Sequence, residues 1–586
     1  MSRRAMVALL AWLAFAAAPA DAAWFAPATL DGPSPDVVQF GDVDVARDGT
    51  GAAVWLRMDA GAPHVFLSRL TRGAWSAPER ADTGLVQAAS DPVVAVADKG
   101  RLVVAWSTGN QAYGAHAEGF GVTAPEPLGG PGPGPLALAP GGQVRAVDAD
   151  MAVQGTGFVV FESAGDIRAA RLLNGRWQRT AAPLDIAAAR PADSPRVALG
   201  ADGNALVTWR EAGSVFARRV TRLVPSKVPL LVSLEGGPAA APDVTVEDDG
   251  SYAWVAFRQE FNGVQTALAR RLVGSQFEPL AAPLAAGGAA LSPRISINGK
   301  GVGLAAVPRG DQVDFARLER DVFAPPVRAG GAATLALAAS AVNQDAVVAW
   351  AGPDGMRGRR LRRGERVADP EAALGGPVLG ERAAIGASKA GDFAVGYMTG
   401  GQAGRSVVVA PFDFPPRPAR LRTTRTYQPA TRPLLRWKPG TELWGPQRFS
   451  VLVDGREVGT TTRPPFRPPT ELASGAHTWT VRSVDMRGQT AVAPERPVLV
   501  DAVPPVVSVR VTGRRRAGSA LRIVVDAVDR EAGVRSIRVD FGDKSPKTSS
   551  RDVLHRYSSP GRRRLGVRVE DAAGNVTNRF IPLRIR

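Results

Sequence analysis

The chain has 586 residues, a net charge of +17 and no cysteine. That length exceeds what one hydrophobic core serves and points to roughly three to five domains. Without cysteine there are no disulfide staples or thiol nucleophiles. The four histidines, His64, His116, His477 and His555, are scattered, which excludes transition-metal clusters and cysteine–histidine catalysis.

Met1 to Arg4 is a short basic start, and Ala5 to Ala20 is an apolar run rich in Ala and Leu. The run is shorter than the ~20 residues that span a bilayer. Ala20-Asp21-Ala22 then puts small residues where a signal peptidase reads. The pattern predicts a signal peptide over 1–22, cleavage before Ala23, and no membrane span afterwards. The mature chain is expected outside the cytoplasm, extracellular or associated with the cell envelope.

From 23 to 416 one pattern recurs. A β-rich run meets a Gly-containing turn, and an alternating apolar run follows and ends in an aromatic, as in Val43 to Trp55, Val93 to Trp106 and Arg196 to Trp209. Weaker copies close at Phe161, Phe257, Val307, Trp350 and Tyr397. Asp48-Gly49, Asp202-Gly203 and Asp249-Gly250 read as two-residue hairpins with positive φ at both central positions. Third and fourth strands follow in the better copies, for example Val65 to Leu70 and then Trp75-Ser76-Ala77-Pro78. A four-stranded unit repeated about every 50 residues is the signature of a β-propeller. The last copy lacks a fourth strand, and Trp24-Phe25-Ala26-Pro27 resembles one. The reading is eight blades closed by that segment, with seven as the alternative because the copies at 295–307 and 337–350 are poorest. The repeated tryptophans are expected to pack between blades.

Charge is partitioned unevenly. Residues 23–416 carry 37 Lys+Arg against 39 Asp+Glu, and residues 417–586 carry 33 against 15. Leu434-Leu435-Arg436-Trp437, Asp454-Gly455 and the run from Gly475 to Asp485 make 417–502 similar to a fibronectin type III or related immunoglobulin-like module. Val539-Asp540-Phe541-Gly542-Asp543, His555-Arg556-Tyr557 and Pro560-Gly561 make 503–586 similar to a polycystic-kidney-disease-type (PKD) module. The layout resembles secreted bacterial β-propeller repeat proteins with such modules appended, and the resemblance implies an all-β fold. It also implies that the modules are spacers or binding appendages.

Three groups of side chains carry possible chemistry. Arg57, Glu162, Arg210, Glu211, Arg258, Glu260, Arg309 and Asp311 follow the aromatic positions. On one propeller face they would form a mixed ring for a sugar acid or peptide, or supply the paired carboxylates of a glycosidase; ordinary solvated loop charge is the competing account. Arg514, Arg515, Arg516, Arg562, Arg563 and Arg564 form basic patches suited to an anionic polymer of a cell envelope, with arginine placed on a solvated face by compositional bias as the equal competing account. Nucleic acid is disfavoured because aromatics are not interleaved with them. Asp526, Asp529, Glu531 and Asp571 offer oxygens for calcium, against the commoner reading of Asx-capped turns. No other cofactor is expected. With no phosphate loop and no nucleophile elbow, the sequence favours a monomeric, non-catalytic binding protein for an envelope polymer, glycan or protein. A secreted polysaccharide hydrolase or lyase, or a structural spacer, is the alternative.

Overall fold

The computed structural model describes residues 21–109, 111–119, 122–123, 125–128, 144–186, 190–247, 250, 252–365, 368–401, 404–422 and 426–586. The segment 1–22 expected to be a signal peptide, apart from Asp21 and Ala22, and Asp249 lie outside the described residues. The described residues are all-β, with no helix, and so contain no helix long and apolar enough to cross a membrane. They form two compact units, one of 22–414 with 443–445 and one holding the remainder of 415–586.

The larger unit contains eight antiparallel sheets, each with a four-strand path. Their first strands are, in order, Val37–Val45, Ser90–Ala97, Val144–Met151, Ala192–Leu199, Ala239–Val246, Arg294–Ile297, Leu335–Ser340 and Val378–Ala387. Each aromatic or apolar position that closes a sequence copy lies in the second strand of one sheet, and Trp55, Trp106, Trp209 and Trp350 are fully buried. The first strands pack in succession, each on the next, and Val378–Ala387 packs back on Val37–Val45. In the eighth sheet the fourth position is taken by Ala23–Trp24, paired antiparallel with Gly404–Asp413 through Trp24 opposite Phe412. Their rings meet edge to face at 5.1 Å.

The turns correct one expectation. In the Asp48-Gly49 and Asp202-Gly203 hairpins only the glycine is left-handed, Gly49 at φ 83° and Gly203 at φ 75°, while Asp48 and Asp202 are not. The Gly49 N–H donates to Ala46 O and the Ala46 N–H to Thr50 O, so the loop has three residues and ends in a left-handed glycine. Asp48 instead accepts from the Thr50 N–H and hydroxyl, which stabilises this wider loop. Two-residue turns with positive φ at both positions sit one hairpin later, at Ala60-Gly61, Ala164-Gly165 and Ala212-Gly213. A second repeated device is a bulge in the first strand, placing Asp91, Ala146, Ser194 and Ala241 in the left-handed region and shifting the register there.

In the smaller unit, Arg448–Val453 and Gly475–Val484 are the central neighbours of a five-stranded sheet. Trp437, Phe449 and Trp479 form its aromatic core, with ring centres 5.6 and 6.3 Å apart. Two three-stranded sheets follow, Val506–Gly513 with Ala520–Val528 and Asp552–Arg556, and Val534–Asp540 with Gly561–Asp571 and Val576–Ile585. They share one apolar cluster that includes Ile523, Val525, Val539, Val567 and Leu583. Tyr557 is buried there and donates its hydroxyl to Phe541 O at 2.9 Å.

Candidate binding surfaces

The eight side chains after the aromatic positions are held mainly by their own neighbours. Arg57 pairs with Asp31 at 2.7 Å, and Asp31 also accepts the Trp55 indole N–H at 2.8 Å. Glu211 is only 2% exposed and accepts from the Trp209 indole and the Ile186 N–H. Arg309 pairs with Asp314 at 3.0 Å, and Glu260 accepts from Gln265 at 3.1 Å. Arg258 is half-buried, with its Nε enclosed and unbonded, and Asp311 stands exposed. Arg210 donates through Nε to Asp193 at 2.8 Å and also through Nη2. Glu162 lies opposite Arg145, and its carboxyl is pushed up by burial and by the nearby charge of Asp193, against the pull of Arg145. Glu162, Asp193 and Arg210 thus form one cluster spanning the third and fourth sheets. Asp31, Asp193 and Asp314, the partners in these pairs, were not singled out from sequence. Their role depends on bulged register, which the sequence does not display.

A different set of acids lies inside the larger unit. Asp42 and Asp44 alternate along the first strand of the first sheet, so both carboxylates face one side. They accept the N–H groups of Val94 and Val96 on the next sheet, at 3.2 and 2.8 Å. Asp148 and Asp150 accept those of Val197 and Leu199 at 2.8 and 2.7 Å. Asp243 and Thr245 do the same for Ile295 and Ile297, and Ser296 for Ser340. A first strand has a free edge, and these side chains satisfy edge donors that would otherwise be buried without partners. Asp42 and Asp150 are pushed up to about 7, first by desolvation and then against the bonds they accept, with neighbouring aspartates adding to the rise. Burial likewise raises Asp44 and Asp148 and lowers the Arg294 guanidinium. A cavity of about 310 Å³ is lined by Asp44, Arg47, Asp98, Asp150, Ser296 and Ser340, among others. It lies toward the hairpins joining first and second strands, and none of the eight candidates lines it.

The comparisons can now be set beside this geometry. No family model matches the chain, and no curated protein matches it. Among solved structures, a protein of unknown function from Dyadobacter fermentans aligns at 14% identity over 67% of this chain and 98% of its own, with a TM-score of 0.34. The Dos1 propeller aligns at 8% identity over 67% and 94%, with a TM-score of 0.43. The polysaccharide lyase Uly1 aligns at 9% identity over 66% and 92%, with a TM-score of 0.38. None of these bears on activity.

In the smaller unit, Asp501, Asp529 and Asp571 bring carboxylate oxygens within 4.8 Å of one another. Two of the four calcium candidates are in this group, Asp526 and Glu531 are not, and Asp501 was missed. Asp571 accepts from the Gly574 and Asn575 N–H groups and from the Asn575 side chain. Asp529 accepts from the Gly533 N–H, and Asp501 from those of Val503 and Ala532. The bonds from Val503, Gly533, Gly574 and Asn575 are local turn caps and the bond from Ala532 ties Asp501 to a distant loop; together they satisfy the carboxylates, of which Asp501 and Asp571 are buried.

The basic candidates divide. Arg562 and Arg564 are exposed on one face of the last sheet, whereas Arg563 is turned inward, half-buried and bonded to Ser559. Arg514, Arg515 and Arg516 are exposed, and the Arg586 N–H donates to Arg515 O, which puts this loop at the end of the sheet where Arg562 stands opposite Arg584.

Proposed function

We propose that the chain is an exported, non-catalytic binding protein. In this reading the eight sheets are the blades of a propeller closed by Ala23–Trp24, and the modules after it are of fibronectin type III and PKD type. The propeller is a recognition platform, and the arginines of the tail hold an anionic polymer of the cell envelope. The observation carrying the tail assignment is the charge partition, 33 basic against 15 acidic residues over 417–586. The propeller assignment draws on the succession of first strands and the pairing of Trp24 with Phe412. The non-catalytic reading draws on Arg57, Glu211 and Arg309, each of which already has a side-chain partner within the fold.

One feature favours a polysaccharide-acting enzyme instead. Glu162 is a carboxyl pushed up by burial and by the nearby charge of Asp193, the direction a proton-donating acid requires. Asp193, however, is already clasped by Arg210. A single experiment separates the readings: the mature chain is incubated with purified envelope polymer and eluted with rising NaCl, and the polymer is assayed for new chain ends. Retention at 50 mM and release by about 300 mM, with no new ends, is the expected result, since screening shortens the reach of surface charge. Retention indifferent to salt refutes the electrostatic reading, and new chain ends refute the non-catalytic one.

A further inference from the structure

The sheet of Val534–Asp540, Gly561–Asp571 and Val576–Ile585 has two unlike faces. Ile537, Val539, Leu565, Val567, Val569 and Leu583 point into the core. Alternation along each strand then turns Arg538, Arg562, Arg564, Arg568 and Arg584 outward, and all five are exposed. The register sets like charges side by side: Arg538 lies directly opposite Arg568, and Arg562 directly opposite Arg584. Such pairs destabilise a sheet. Two acids share the face and neither neutralises it. Asp540 is taken by Lys547 at 2.8 Å, and Glu570 is divided between Arg568 at 3.4 Å and Arg535 at 3.8 Å. Near the middle, the Arg564 guanidinium stacks on the Phe580 ring at 3.8 Å, and Phe580 in turn lies across Gly566.

We propose that this face binds a linear polysaccharide bearing carboxylates, laid along the strands. The inference rests on the reading that the tail holds an anionic polymer, and it adds the surface and the polymer class. From Arg562 to Arg568 the central strand runs about 20 Å, and its neighbours lie roughly 4.8 Å to either side. That is a flat strip of fixed positive charge and not a pocket, so it matches an extended chain with repeated anions. All five cations on it are arginines, whose planar forks pair with carboxylates through two parallel bonds. Phe580 is 56% exposed and supplies a single apolar contact for a sugar ring. One ring, partly covered by Arg564 and Gly566, is no series of stacking platforms, which disfavours single-stranded nucleic acid. The face presents no other large apolar side chain to enter a lipid surface.

The test uses the mature full-length chain and polygalacturonate at 50 mM NaCl, with polyphosphate, single-stranded DNA and anionic lipid vesicles as competitors. Arg564→Glu with Arg568→Glu is expected to weaken polygalacturonate binding at least tenfold. Arg456→Glu with Arg463→Glu, which changes net charge equally on exposed positions outside this sheet, is expected to change it less than twofold. Both variants should stay folded and melt within a few degrees of the parent, since the first removes the Arg538–Arg568 like-charge contact along with the exposed Arg568–Glu570 pair and the Arg564–Phe580 stacking. Equal losses from the two variants overturn the assignment of this face while leaving the tail's general attraction to polyanions standing. Tighter binding to polyphosphate, DNA or vesicles than to polygalacturonate overturns the polymer class. Salt-sensitive retention on envelope polymer without any polygalacturonate binding overturns this inference alone, and failure of both removes the underlying reading as well.

Discussion

The half-buried carboxylates between the sheets make stability depend on pH in a direction opposite to that of an ion-paired acid. Asp150 has an ordinary carboxyl value of 3.8 when unfolded and about 7 in the fold. The folded chain therefore holds more protons than the unfolded one over that interval, and stability falls as pH rises from about 4 to about 7. At 1.36 kcal/mol for each unit, the ceiling is on the order of 4 kcal/mol for Asp150, with a similar figure for Asp42. Unfolding entropy is about 2.1 cal/mol/K for each residue, so over a unit of roughly 400 residues each such loss lowers Tm by roughly 5 °C. Asp150→Asn removes one titration. Its amide keeps one oxygen to accept from Leu199 or Met151 and turns an NH2 toward the other donor, costing about 1–3 kcal/mol at pH 5. By pH 8 that cost is offset, because no charge is buried. Scanning calorimetry of the chain from residue 23 onward, from pH 5 to pH 8, should show the transition of the larger unit falling in the parent and falling less far in Asp150→Asn, where Asp42, Asp44 and Asp148 still titrate. A Tm that rises over this range, or a variant that keeps the full parental slope, refutes the argument.

Two further outcomes follow from the packing. Trp24→Ala removes the ring that meets Phe412 and lies over Gly358 of the preceding sheet, and should cost about 2–4 kcal/mol in calorimetry; a change below about 0.5 kcal/mol would show the seam to be unimportant. Glu211→Gln should lower the Tm of the same unit by disturbing the bonds from the Trp209 indole and Ile186, at about 1–2 kcal/mol, while Glu260→Gln stays within about 0.5 kcal/mol. Equal effects would return Glu211 to the solvated surface.

Much of the strand layout was legible because period-two alternation and glycine turns are local signals. Trp55, Trp209 and Tyr397 mark second strands, and the likeness of Trp24-Phe25-Ala26-Pro27 to Trp75-Ser76-Ala77-Pro78 pointed to the partner of the last sheet. The turn after Val45 was misjudged because Asp48 bonds to Thr50 and stays out of the left-handed region. The bulges were invisible because Asp91, Ala146, Ser194 and Ala241 are of three residue types, none of them diagnostic of a left-handed position. Asp42-Val43-Asp44 and Asp148-Ala149-Asp150 looked like ordinary polar strand residues, since their purpose is set by a strand about 50 positions away. Arg562 and Arg564 stood out as a run. Arg538, Arg568 and Arg584 joined them only through cross-strand register, which single-strand patterning does not encode.

The seam has a consequence for biogenesis. Ala23 and Trp24 are synthesised almost four hundred residues before their partners near Asp413. Until then the earliest segment has nothing to pair with, and any chain interrupted before that point carries an unzipped seam. Partial products therefore differ from the finished molecule in a way a protease can sense, with Gly404–Asp413 missing or its outer margin bare. Completion of the last sheet is thus the event that closes the seam.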